Sequence, residues 1–171
     1  MRTTRAVALA AVVSATLIGT AGCGLVDQDT RSAPKPPPTP TTPFTKEAVA
    51  NEVGAAADAS GLPPGDDSTA GMPEGEWQSC VAPWMADAPE ADAADAFAAT
   101  VKTLRKQGWK LTTSRAEQDV TFRTLTKRGW KVYARHYAMD GFGAEQPVSL
   151  TAVKDGCELP EEIKGDFQDT L

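Results

Sequence analysis

Few side chains in this sequence are equipped for catalysis or metal binding, and their spacing limits them further. His136 is the only histidine. A metal cage would have to fill every other position with Asp or Glu, and a Ser–His–Asp set would have a single base to draw on; neither has a spacing signature here. His136 stands on a period-two run from Trp130 to Tyr137, on the face shared with Trp130, Val132 and Ala134 and near the end where a polar tip reaches water. A structural or surface histidine follows from that position. Asp140-Gly-Phe-Gly has the wrong order for a kinase metal loop and lacks the phosphate and catalytic loops that accompany one, so it reads as turn chemistry. Asp66-Asp67 lacks the alternating ligands and terminal Glu of a calcium loop and reads as an exposed acidic turn. The sequence therefore predicts no catalytic residue, no metal site and no cofactor.

The aromatic residues are more informative. Trp77, Trp109 and Trp130 have places in the strand pattern, whereas Trp84, Tyr133, Tyr137 and Phe142 are harder to bury all at once. Tyr133, Arg135 and Tyr137 alternate on the face opposite His136. If that face points away from the helices, it forms an aromatic and cationic strip of the kind that binds sugars or protein partners. If the first helix covers it, the same residues are core.

The chain begins with Arg2 and Arg5, continues through an apolar stretch from Ala6 to Ile18, and reaches small residues before Cys23. These are the zones of a cleaved export signal, and the apolar stretch is short for a permanent crossing of about 30 Å of hydrocarbon. Thr20-Ala21-Gly22-Cys23 resembles the lipobox of bacterial lipoproteins, departing from its commonest form at Thr20, where a Leu is usual. The resemblance covers the signal. It implies cleavage before Cys23, a diacylglyceryl group on the Cys23 thiol, and residence on the extracytoplasmic face of the bacterial cell membrane, with the membrane as partner through that lipid. The chain has three cysteines; with Cys23 consumed, Cys80 and Cys157 remain as a pair expected to oxidise outside the cytoplasm. Loss of a leader that holds Arg2 and Arg5 and no acid moves the net charge from −6 to −8. Such a balance repels nucleic acid and anionic surfaces at long range, although a local basic patch can reverse the sign nearby.

Residues 1–22 thus read as signal peptide and residues 23–43 as lipidated Cys23 and tether. From Leu25 to Thr42 no apolar period survives, and Pro34, Pro36, Pro37, Pro38, Pro40 and Pro43 favour extended polyproline geometry. At about 3.1 Å per residue the spacer can lift a domain some 50 Å from its anchor. Residues 44–160 are expected to be a single α+β domain and residues 161–171 a C-terminal tail.

Within the domain, Thr45 caps a first helix whose Val49, Val53, Ala56 and Ala57 share a face, and Gly61 ends it. The segment Glu74–Val81 reads as a strand. A second helix follows Pro89, with Glu90, Asp92 and Asp95 at its start, Lys102, Arg105 and Lys106 at its end, and Ala94, Phe97, Ala98, Val101 and Leu104 as its apolar face. Alternating runs at 109–113, 120–125, 130–137 and 148–153 then form an antiparallel meander, with a tight turn at Lys127-Arg128-Gly129. The expected architecture is a two-layer sandwich, helices on one face of a meander sheet, stapled by Cys80–Cys157. The region from Trp77 to Cys157, with its Gly-Trp strand starts at Trp109 and Trp130 and its Cys after the last strand, is loosely similar to small secreted actinobacterial lipoproteins of unassigned function, which offer no catalytic residue to transfer.

The leading functional expectation is a non-catalytic, lipid-anchored domain that presents its outer sheet surface and the loop Asp140–Pro147 to a cell-wall polymer or envelope protein. A carrier of an apolar or lipid ligand, which needs a cavity between sheet and helices, comes second. A cell-wall hydrolase comes third.

Overall fold

The computed structural model describes residues 43–67, 69, 74–138 and 143–167. Cys23, the leader, the tether as far as Thr42, Asp140 and Phe142 lie outside the described residues. The elements run α1 (Lys46–Asp58), a 3-10 turn (Glu76–Cys80), β1 (Val81–Ala82), β2 (Met85–Pro89), α2 (Glu90–Lys106), β3 (Lys110–Glu117), β4 (Val120–Lys127), β5 (Trp130–Tyr137), β6 (Glu145–Lys154), α3 (Glu161–Lys164) and a second 3-10 turn (Gly165–Phe167).

Strands β3 to β6 form an antiparallel meander, and β1 and β2 pair antiparallel with different parts of β6 to complete an open sheet in the order β1-β6-β5-β4-β3. Turn chemistry sets the register. Arg128 and Gly129 both adopt positive φ, 50° and 80°, in the two-residue connection between β4 and β5. That geometry matches strand twist and places Lys127 opposite Trp130, so each later pair follows by counting.

Period two divides β5 cleanly. Trp130, Val132, Ala134 and His136 are buried toward the helices. There they join Leu125, Val148, Leu150 and Ala152 from neighbouring strands, Val49, Val53, Ala56 and Ala57 from α1, and Phe97, Val101 and Leu104 from α2. Both long helices therefore cover the same sheet face, giving the two-layer α+β sandwich. Thr45 caps α1 by accepting the Ala48 N–H at 3.3 Å. Trp130 Nε1 donates to the Phe44 carbonyl at 2.9 Å, fixing the chain where it enters the domain.

The other face carries a smaller cluster, Trp77, Val81 and Val153, with Tyr133, Cys157, Leu159, Ile163 and Phe167 against it. Its staple is the Cys80–Cys157 disulfide, whose Cα atoms are 5.8 Å apart and 77 residues apart in sequence. Closing a loop of that length stabilises the fold by about 4.5 kcal/mol on the chain-entropy model.

Several local expectations need correction. Glu74–Val81 is not a strand: Glu76–Cys80 winds as a 3-10 turn, with the Ser79 hydroxyl donating to the Glu76 carbonyl at 2.7 Å, and only Val81–Ala82 pair. The buried face of α2 is made of Ala93, Ala96, Phe97, Thr100, Val101 and Leu104, so Ala94 and Ala98 face solvent. Glu161–Phe167, expected in a tail, supplies Ile163 and Phe167 to the cover of the outer face.

Candidate functional site

The outer face of β3, β4 and β5 brings three side chains into one row. Arg115 lies opposite Phe122 across the β3–β4 ladder, and Phe122 lies opposite Arg135 across β4–β5. The guanidinium carbon of Arg115 is 4.7 Å from the Phe122 centroid and that of Arg135 is 5.8 Å from it. Two cations thus flank one aromatic ring, about 10 Å apart by strand spacing. The row continues to Phe167, whose centroid is 5.8 Å from the Arg135 guanidinium carbon and 5.4 Å from the Tyr133 ring, at an edge-on angle of 67°. Behind Phe122, Arg123 points to the opposite face and donates from one guanidinium nitrogen to the Arg115 and Phe122 carbonyls at 3.0 and 2.7 Å, tying β3 to β4.

The two cations differ. Arg115 leans on Glu117, 3.4 Å away. Among the described residues the Arg135 guanidinium meets rings and no carboxylate. A stacked guanidinium keeps its in-plane N–H groups for a carboxylate or phosphate, so the row suits a ligand with a flat apolar face beside an anionic group.

Tyr133, Arg135 and Tyr137 do share the face turned from α1 and α2, and all three are half-buried. Tyr133 packs edge-on against Phe167 within the cover contributed by the C-terminal segment, and Arg135 meets the same ring. Trp84 does not join them. It is a core residue, 7% exposed, and Gly65 lies so close that a Cβ there would stand 2.2 Å from the indole ring. Its ring therefore packs in the core and takes no part in the outer-face row. Phe142 lies outside the described residues.

Arg115, Phe122 and Phe167 were missed from sequence. Phe122 was within reach: the tight turn at Arg128-Gly129 pairs residues whose numbers have a constant sum, which sets Phe122 against Arg135. Phe167 has no comparable signal, because it reaches the site from a short 3-10 turn beyond the sheet.

His136 sits on the helix side, 4% exposed, with Nε2 2.8 Å from Gln146 Oε1 and its ring 5.9 Å from that of Phe97. Its partner is an amide, which orients the imidazole and offers neither the carboxylate nor the nucleophile of a hydrolytic set. Among the described residues no group of three or more His, Cys, Asp or Glu converges as a metal site, and no helix is long and apolar enough to cross a membrane. The space between helices and sheet is filled by Leu104, Leu125, Leu150, Val132, Val148 and Thr100, each under 2% exposed. Comparison with protein-family models, with curated proteins and with solved structures finds no match for this chain.

Proposed function

We propose that this chain is a lipid-anchored, non-catalytic binding domain of the bacterial envelope, held outside the cytoplasmic membrane through Cys23 and engaging a wall polymer or envelope protein with the Arg115–Phe122–Arg135 row. One observation carries the binding role: two guanidiniums flank a half-buried phenyl ring in register across three strands, on the face that α1 and α2 leave uncovered. Core residues have no need of such a row. Phe122 supplies a stacking platform, Arg135 a charge-assisted donor, and Tyr137 a polar aromatic edge on the same face. The lipid anchor and the extracytoplasmic location rest on the Thr20–Cys23 signal.

The packed space beneath the helices favours this reading over ligand carriage, because a carried lipid would have to displace side chains that are already close-packed. The amide partner of His136 weighs against hydrolysis.

The test is affinity capture from a solubilised envelope fraction and sedimentation with purified cell wall, comparing the unaltered mature chain with Arg135→Ala. Loss of a central stacked arginine is expected to weaken capture by tenfold or more, on the order of the effect of a binding hot spot. Equal capture by Arg135→Ala and Phe122→Ala would remove the row from the account.

A further inference from the structure

An acidic chain carries a basic pole. The last two turns of α2 present Lys102, Arg105 and Lys106 to solvent, and Lys110 at the start of β3 joins them around a shallow groove. Lys110 also borders a second groove, where the β4–β5 turn adds Lys127 and Arg128. Of these six cations only Lys127 is half-buried, bound to Glu52 and to the Gln107 carbonyl. At this pole Glu52 is paired with Lys127, and Asp155 borders the second groove. The acids Glu90, Asp92 and Asp95 lie toward the start of the 17-residue α2, so the signs separate along the helix, by about 10 Å of axial rise between Asp95 and Lys102 and about 24 Å between Glu90 and Lys106.

Two independent features give the basic pole a direction. The first is the path of the chain: the Phe44 carbonyl is held by Trp130, and the Phe44 ring lies 5.1 Å from both Lys127 Nζ and the Arg128 guanidinium carbon. The polypeptide leading back to Cys23 therefore joins the domain beside these cations. The second is Leu111, one of two large apolar side chains exposed among the described residues, which lies in the groove formed by Lys102, Arg105, Lys106 and Lys110. An apolar side chain set among cations is the composition of a surface that meets a headgroup layer.

We propose that this pole docks on the anionic phospholipids of the leaflet that holds the Cys23 lipid, a step that rests on the anchored reading given above. Lysine and arginine approach the lipid phosphates while Leu111 enters the headgroup boundary, and the Arg135 row on the sheet face is left open to its partner. The tether makes even weak contact effective, since a domain confined within some 50 Å of its anchor meets the surface at about millimolar effective concentration. Salt screens such contacts over about 8 Å at physiological strength, so docking requires close approach and weakens as salt rises.

The test uses the mature chain, residues 23–171, carrying Cys23→Ser so that no lipid contributes. It is sedimented with vesicles of equal parts phosphatidylglycerol and phosphatidylcholine, and with vesicles of phosphatidylcholine alone. Binding to the anionic vesicles alone is expected, falling with salt and by about fivefold for each cation neutralised in the series Lys106→Gln, Arg105→Gln/Lys106→Gln and Arg105→Gln/Lys106→Gln/Lys110→Gln. Arg135→Ala should bind the vesicles as the unaltered chain does. Circular dichroism establishes that the exposed-residue variants remain folded. Equal binding to both vesicle types, no binding to either, or a triple variant that binds as well as the unaltered chain overturns the proposal. None of these results touches the anchor itself, which is read separately from the mass of the membrane-extracted protein.

Discussion

Phe122 and Arg135 face each other across the β4–β5 ladder, with the guanidinium carbon 5.8 Å from the ring centroid. Since the guanidinium also reaches Phe167 at 5.8 Å, the arginine spans two aromatic groups from separate parts of the chain. Such contacts contribute about 0.5–1 kcal/mol each at partly exposed sites. Arg135→Ala is therefore expected to lower unfolding free energy by no more than about 2 kcal/mol, leaving a folded domain in which binding is measured cleanly. Urea unfolding followed by tryptophan fluorescence checks this, and a loss well above that range would make Arg135 chiefly structural.

The Cys80–Cys157 bridge joins the turn before β1 to the loop after β6. Cys80→Ala/Cys157→Ala should lower unfolding free energy by about 4–5 kcal/mol, a third or more of the stability of an ordinary domain. Reductant should shift the unfolding midpoint of the unaltered chain in the same direction and leave that of the double variant in place.

Gly65 lies against the buried Trp84. Gly65→Ala would place a methyl group 2.2 Å from the indole, and the resulting shift is expected to cost about 1–3 kcal/mol, as overpacking does. A lowered midpoint with altered tryptophan emission is the expected reading; an unchanged one would contradict the assignment of Trp84 to the core.

A chain ending at Pro160 loses Ile163 and Phe167 from the outer face. Tyr133 should become accessible to solvent acrylamide or to chemical iodination, and the domain should be destabilised by about 1–3 kcal/mol through lost apolar burial. An unchanged Tyr133 would return residues 161–167 to the status of a tail.

The sequence was most legible where one physical signal dominated. β5 occupies Trp130–Tyr137 as its alternation predicts, because a helix-covered inner face and a more polar outer face require period two. The α1 face of Val49, Val53, Ala56 and Ala57 was equally clear, since two valines fix the stripe. The face of α2 was misplaced by a residue where it depends on alanines, for Ala93, Ala94, Ala96 and Ala98 have the same chemistry and only tertiary packing selects among them. Met85–Pro89 carries little strand propensity and pairs because β6 presents an edge to it. The outer-face row was half legible: Arg135 and Tyr137 follow from period two and Phe122 from the turn register, while Arg115 depends on a ladder whose register shifts between Leu111 and Thr113.

The proposed placement of the domain rests on cleavage before Cys23, and the intact mass of protein extracted gently from bacterial membranes tests it directly. The account predicts a chain that starts at Cys23, carries a diacylglyceryl group there, and is two hydrogens lighter for the Cys80–Cys157 bond. A mass that retains residues 1–22, or an unmodified Cys23, would contradict it.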